Sequence, residues 1–145
     1  MNRELHDFPG GLKFKTYKEM TDTIPAIQHP LPNKIILPVR QHIGIPSVPI
    51  VKIGEHVLKG QMIADADGYV SIPLHASTSG KVIDIDDYAV PHAGEHEATC
   101  IVIEPDGEDK WFDIHPTDDY LSVDPKKLQE IIRSCGIAGL GGAGF

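Results

Sequence analysis

A glycine run near the end of the sequence has the composition of a phosphate-binding loop. The run Gly139-Leu140-Gly141-Gly142-Ala143-Gly144-Phe145 contains the pattern G-x-G-x-x-G. Glycines let backbone N–H groups approach a phosphate closely, and a helix N-terminus after them would add favourable dipole charge. A dinucleotide-binding unit places a strand before this motif, whereas here a predicted helix ends near Cys135. From the residues alone, a flexible glycine loop remains the alternative to a cofactor site.

A second motif occupies the stretch from Val51 to Ile85. Its first half, Val-Lys-x-Gly-Glu-x-Val-x-Lys-Gly-Gln-x-Ile-Ala, resembles the biotinyl/lipoyl hammerhead, which is a barrel-sandwich hybrid. In that family two turn glycines, here Gly54 and Gly60, allow sharp reversals, and a lysine at the hairpin tip carries the swinging arm. The tip in this sequence, residues 65–69, reads Asp-Ala-Asp-Gly-Tyr and has no lysine. The resemblance therefore implies the fold without the carrier function.

Histidines and cysteines do not form a complete metal or catalytic set. His92 and His96 are four residues apart, but Pro91 disfavours the helix that would bring them to one face, so we expect exposed loop histidines. The two cysteines, Cys100 and Cys135, are fewer than the roughly four thiolates of a four-iron cluster. No catalytic residue and no metal ligand is predicted in this sequence.

Charge and hydropathy exclude several classes of function. The 145 residues include 13 Lys and Arg against 21 Asp and Glu, which gives a net charge of −8. This balance disfavours binding to nucleic acid or to an anionic membrane surface. No apolar stretch approaches the roughly 18 residues that span a bilayer, and the N-terminus lacks the apolar core of a signal peptide. We expect a soluble cytoplasmic chain with no nucleic-acid partner and no direct transmembrane segment.

Short β-rich runs between Lys34 and Glu104 predict a mainly β fold. They are KIILPV, PIVKI, HVL, QMIADA, GYVSI, KVIDI and ATCIVIE. Between and after them, Ser77-Thr78-Ser79-Gly80 is predicted as a polar turn and residues 105–109 as a solvated acidic connector.

One helix is predicted from Asp124 to Cys135. Asp124 is the expected N-cap, a proline follows at the first helical position, and Gly136 suits the position after the C-cap. The apolar residues of this segment, expected on one helix face, are Leu128, Ile131 and Ile132.

Taken in order, these motifs resemble the N-terminal part of the RnfC family, the C subunits of Rnf electron-transport complexes. The segments that carry the resemblance are Phe8-Pro9-Gly10-Gly11, Leu31-Pro32, Gln41-His42-Ile43-Gly44, the hammerhead from Val51, Asp67-Gly68-Tyr69-Val70-Ser71, Pro91-His92 and residues 100–107. The closing segment, residues 136–145, is similar to the flavin loop of the flavin-carrying subunit of respiratory complex I. We therefore expect the sequence to be a fragment of a longer protein.

The resemblance implies a peripheral subunit of an ion-translocating NADH:ferredoxin oxidoreductase at the cytoplasmic face of the inner membrane. It implies FMN and two 4Fe-4S clusters in the complete subunit, with NADH as substrate. The implied partners are the other complex subunits and, indirectly, ferredoxin. No cofactor is expected in this fragment itself, because the family's cluster cysteines lie further along. The cofactor-binding residues carried over are Gly139, Gly141, Gly142, Ala143, Gly144 and Phe145.

The expected organisation has three parts. Residues 1–38 form an extended N-terminal arm and the first strand, residues 39–106 a barrel-sandwich hybrid domain, and residues 107–145 a connector, a helix and the truncated start of a flavin- and NADH-binding domain. In this interpretation the barrel is a docking or assembly module. The alternatives are a part similar to the A subunit of a sodium-pumping NADH:quinone reductase, against which the glycine run argues, and a non-catalytic lipoyl-like binding module.

Overall fold

The structure, a computed structural model, describes residues 10–11, 14–15, 17–27, 29–92 and 95–139. Contacts divide the chain into two units, Met1–Pro30 and Leu31–Phe145. The described residues of the first unit are exposed and include one 3-10 turn, Lys18–Met20, which is closed by a hydrogen bond from the backbone N–H of Thr21 to the carbonyl of Lys18 at 2.9 Å. No longer helix or strand forms in the described part of this unit.

The strands of the second unit pair in antiparallel fashion. They are β1 (Ile35–Pro38), β2 (Val48–Pro49), β3 (His56–Val57), β4 (Met62–Asp65), β5 (Leu74–His75), β6 (Gly80–His92) and β7 (Glu95–Pro105). One sheet has the order β1-β7-β6-β3 and the other the order β2-β4-β5. The predicted mainly β, barrel-sandwich-hybrid fold class is confirmed.

The core takes side chains from both sheets. Ile63 of β4 is fully buried in the same cluster as Val57, Val82, Ile101 and Ile103 of the larger sheet. Along β7, four consecutive residues from Cys100 to Ile103 have no exposed surface, as expected for a strand covered on both faces. Burial of these apolar side chains from both sheets holds the two sheets together.

Two strand assignments from the sequence are wrong in position. The run Gly68–Ile72 (GYVSI) is not a strand, because Gly68 turns the chain at φ 78 and Pro73 supplies no N–H to a ladder. The strand forms two residues later, as β5. Likewise, the second strand is Val48–Pro49 rather than the predicted PIVKI run, residues 49–53.

The helix α1 (Pro125–Ser134) confirms the predicted helix and its caps. The Asp124 carboxylate accepts a hydrogen bond from the backbone N–H of Lys126 at 2.9 Å, and Gly136 has φ 67. The apolar face is less complete than predicted, because Ile132 is 53% exposed while Leu128 and Ile131 are half-buried. Of the helices within the described ranges, none has the length and apolarity needed to cross a bilayer.

The sequence predicted a solvated connector at residues 105–109, but this connector is hydrogen-bonded to the barrel. Its partners lie in the predicted polar turn, residues 77–80, part of which is buried. Thr78 and Ser79 are fully buried. The Thr78 hydroxyl donates to Asp109 at 2.9 Å, and the Ser79 hydroxyl donates to Asp106 at 2.8 Å. The backbone N–H of Lys110 in turn donates to Ser79 Oγ at 2.8 Å. We call this set of contacts the connector latch.

Lys59 holds the other side of the connector latch. Its ammonium lies 2.5 Å from the Asp109 carboxylate and 4.8 Å from the centroid of the Trp111 ring. Its backbone N–H donates to the carbonyl of Lys110 at 2.9 Å, and its carbonyl accepts from the N–H of Phe112 at 2.8 Å. Trp111 therefore packs the connector onto the barrel.

Candidate functional site

The structure describes one of the six residues predicted to bind a cofactor. Gly139 is described and exposed. The other five, Gly141, Gly142, Ala143, Gly144 and Phe145, lie outside the described residues. The described part of the candidate site consists of α1, the residues between α1 and the glycine run, and the barrel surface beside Gly139.

Gly136 brings the chain from α1 close against β5. A Cβ at Gly136 would lie 2.6 Å from the carbonyl oxygen of Pro73 and 3.2 Å from Nδ1 of His75. These distances and the positive φ require glycine here. Burial lowers the pKa of His75, and a backbone hydrogen bond with Ser134 partly offsets this effect. His75 thus lies in strand β5, as the sequence indicated.

Arg133 connects α1 to the hairpin tip of the hammerhead. Its Nη2 donates to the carbonyl oxygen of Gly68, and its guanidinium lies 5.9 Å from the centroid of the Tyr69 ring. The tip, which carries the modified lysine in lipoyl and biotinyl carriers, here contacts a helix of the same chain. The C-terminal end of α1 therefore contacts the barrel at two places, through Arg133 and through Gly136 just after the helix.

A cavity of about 270 Å³ lies where these elements meet. We call it the junction cavity, and its lining includes His42, Gly44, Tyr69, Ser71, Arg133 and Gly139. The 42–45 segment is held beside the tip by a 2.8 Å hydrogen bond from the N–H of Ile45 to the carbonyl of Val70. A Cβ on Gly44 would lie 2.0 Å from that same carbonyl oxygen, so a side chain cannot replace the glycine without moving the backbone.

Two residues that line the junction cavity each have a buried polar side-chain atom without a hydrogen-bond partner among the described residues. They are Nε2 of His42 and Oγ of Ser71, and Ser71 as a whole is 3% exposed. Burial, with a smaller contribution from the positive charge of Arg40, lowers the pKa of His42. A buried polar atom without a partner costs stability, so these two atoms are candidates for ligand or water contacts. No sequence motif singled out either atom.

The predicted loop histidines lie instead in strands. His92 ends β6, and His96 lies in β7, because the hairpin continues to the pair His92–Glu95. Cys100 is fully buried and burial raises the pKa of its thiol, whereas Cys135 is exposed at the C-cap of α1. Within the described ranges, no group of three or more His, Cys, Asp or Glu residues could hold a metal ion.

Comparison with known proteins gives a family match over most of the chain. The family described as "RnfC Barrel sandwich hybrid domain" matches residues 6–108. Its fold description agrees with the two-sheet barrel described above.

Longer relatives agree with this match. The C subunit of the ion-translocating oxidoreductase complex of Pseudomonas aeruginosa is 49% identical over 141 residues, covering 97% of this chain and 18% of the relative. The C subunit of the proton-translocating ferredoxin:NAD(+) oxidoreductase complex of Clostridium ljungdahlii is 46% identical, covering 97% of this chain and 31% of the relative. The corresponding protein of Vibrio cholerae is 39% identical, covering 98% and 18%. The chain thus spans less than a third of these relatives.

The family match covers 103 residues, from 6 to 108. Because it includes β1 to β7 and the first part of the connector latch, it rests on the folded core rather than on one motif. The chain belongs to the RnfC barrel-sandwich-hybrid domain family.

Proposed function

We propose that this chain is the N-terminal part of the C subunit of an ion-translocating oxidoreductase complex. In this proposal the barrel is a docking and assembly module that fixes the start of a flavin and NADH site. The supporting observation is the attachment of α1 to the barrel: Arg133 contacts the hairpin tip, Gly136 passes against Pro73, and Gly139 borders the junction cavity. A module that holds the entrance to a cofactor loop in place is expected to make such contacts.

The proposed substrate is NADH, and ferredoxin is an indirect partner through the other proteins of the complex. The Clostridium ljungdahlii relative is named for ferredoxin and NAD(+). FMN, when bound, supplies hydride acceptance and release of single electrons. The residue of the run that the structure describes fits the phosphate end of such a group, because Gly139 has no side chain and borders the junction cavity.

The two 4Fe-4S clusters of the proposed complete protein do not fit residues of this chain. Of its two cysteines, Cys100 is buried inside the barrel and Cys135 is exposed at the end of α1. A cubane cluster needs about four thiolates. The cluster ligands are therefore proposed to lie in the part of the complete protein that this sequence does not include. A peripheral position at the cytoplasmic face of the membrane belongs to the same proposal.

Replacement of Gly142 by Val in the complete protein tests the proposed cofactor loop. A branched side chain is expected to prevent close approach of the flavin phosphate to the backbone, so that flavin content falls to background while the barrel stays folded. Ala89→Val, at an exposed position of β6, is the control and should retain its flavin. Unchanged flavin content in folded Gly142→Val would refute the assignment.

A further inference from the structure

We propose that the apolar surface around the hairpin tip is a docking site for the part of the complete protein that follows residue 145. We call it the tip surface, and its exposed apolar side chains are Ile43, Tyr69, Val70 and Ile137. The inference rests on the proposed function in one respect, namely that this chain is the N-terminal part of a longer subunit. It does not depend on flavin binding by the glycine run.

The first argument is the exposure of these side chains. Tyr69 is 90% exposed, and the other three are between 58% and 62% exposed. Single exposed apolar side chains are common on soluble proteins, but here four of them line the same cavity. Exposed apolar patches of this kind are typical of interaction sites. Covering the tip surface with an apolar face would remove its apolar area from water and would therefore be favourable.

Polar residues border the tip surface on one side. A second depression, of about 620 Å³, is lined by Tyr69, Val70, Lys126, Gln129, Glu130 and Arg133. The last four belong to α1, and Arg133 also contacts the Tyr69 ring. An apolar centre beside a polar rim is the usual arrangement of a protein interface, and tyrosine and arginine are among the residues that contribute most to affinity. The tip surface thus has the composition of a docking site.

The path of the chain identifies what docks there. Residues 137–139 line the junction cavity, so the chain that leaves α1 passes along the tip surface. Six residues separate Gly139 from Phe145, and they reach at most about 20 Å. Polypeptide that continues from residue 145 therefore begins near the tip surface. A short connection of this kind raises the effective concentration of the joined part to about the millimolar range, which a separate subunit does not reach.

The relatives are long enough to supply this partner. The chain covers 18% of the Pseudomonas aeruginosa relative and 31% of the Clostridium ljungdahlii relative. More than two thirds of each relative thus lies outside the matched part. In the complete protein, the face that covers Tyr69 and Val70 is expected to be apolar at its centre, because the tip surface is apolar there.

Hydroxyl-radical footprinting read by mass spectrometry tests this docking on the purified complete subunit, outside the complex. Radicals oxidise aromatic side chains according to their exposure. Tyr69 should oxidise about tenfold more slowly in the complete subunit than in this 145-residue chain, because the core of an interface is packed as densely as a protein interior. Trp111 is the internal control, since it is exposed and contacts Gly60, at the opposite end of β4 from the tip. It should oxidise equally in both.

The outcomes distinguish the possible occupants of the tip surface. Slow oxidation of Tyr69 in the complete subunit, unchanged on dilution, supports docking within one polypeptide. Fast oxidation there would overturn the proposal, and slow oxidation only in the assembled complex would identify another subunit as the occupant. Oxidation that is equally slow in the 145-residue chain would also overturn it, and a dimer in analytical ultracentrifugation would then identify a second copy.

Failure of this docking and failure of the proposed flavin site give different results. Protection of Tyr69 is read from the polypeptide alone, whereas the cofactor loop is tested by the flavin content of Gly142→Val. A complete subunit that protects Tyr69 but holds no flavin would retain the docking and refute the flavin site. A subunit that holds flavin but leaves Tyr69 exposed would refute the docking alone.

Ile43→Asp separates a docking role from a structural one. A carboxylate buried in an apolar interface opposes docking, so Tyr69 of the complete Ile43→Asp subunit should oxidise at the rate of the 145-residue chain. Ile53→Asp is the matched control, because Ile53 is 61% exposed and does not line the junction cavity, and Tyr69 should stay protected. In the 145-residue chain both variants should unfold near the parent temperature, since both side chains are exposed. Equal protection of Tyr69 in the two complete variants would contradict the proposal.

Discussion

The connector latch predicts a specific stability loss when the Ser79 hydroxyl is removed. Ser79 is fully buried, donates to the Asp106 carboxylate at 2.8 Å and accepts from the N–H of Lys110 at 2.8 Å. An intramolecular hydrogen bond contributes about 1 kcal/mol net. Ser79→Ala removes both bonds without adding bulk, so the free energy of unfolding should fall by about 2 kcal/mol. For a domain of this size, the midpoint temperature should fall by about 8 °C.

Urea and thermal unfolding followed by circular dichroism give both quantities. Ser77→Ala is the matched control, because Ser77 lies two residues away and is exposed. It should change the free energy of unfolding by less than about 0.5 kcal/mol. An additional readout is the fluorescence of Trp111, the single tryptophan, which should shift to longer wavelength if the connector separates from the barrel. Equal stabilities of Ser79→Ala and Ser77→Ala would show that the connector is not held by this hydroxyl.

Two further predictions concern the acidic residues of the connector latch and the glycine after α1. Hydrogen bonds, chiefly from the N–H of Glu108 to Asp106 and from Lys59 to Asp109, lower the pKa of both carboxyls below the ordinary 3.8. Their stabilising effect is therefore complete above about pH 4 and is lost as the pH falls through the lowered values, so urea midpoints should drop in acid. Asp109→Asn should show a smaller drop, and an identical acid profile would contradict this account. Gly136→Ala should destabilise by about 2 kcal/mol, because strain at positive φ adds to the clash with Pro73. Gly107→Ala has positive φ but nothing within 4 Å, so it should lose only about 1 kcal/mol by the same urea assay, and equal losses would contradict the close passage at Pro73.

Features encoded within a few residues were predicted from the sequence. The helix was located because its N-cap, its first proline and the glycine after its end are adjacent signals. The buried centre of β7 followed from the continuous apolar residues 100–103. The GYVSI run had β-forming residues but also a glycine that turns the chain, and tertiary context decided against a strand.

Features that depend on distant partners were not predicted. The hydroxyls of Thr78 and Ser79 pair with carboxylates 31 and 27 residues later, and Lys59 pairs with a carboxylate 50 residues later. No local periodicity distinguishes such buried hydroxyls from those of a solvated turn. For the same reason His42 and Ser71 were not recognised as neighbours of one cavity. The glycine run was recognised from its local sequence pattern, and its role in cofactor binding stays a prediction.

The pairing of β1 has a consequence for the order of folding during synthesis. β1 pairs with β7, so that Ile35 lies opposite Ile103, at a separation of 68 residues. The β6–β7 hairpin can form from neighbouring residues, but the larger sheet cannot acquire its β1 edge until the ribosome has released the chain beyond residue 103. Until then β1 remains an unpaired apolar segment on the nascent chain. A translational pause shortly before this point would prolong its exposure to chaperones and to aggregation.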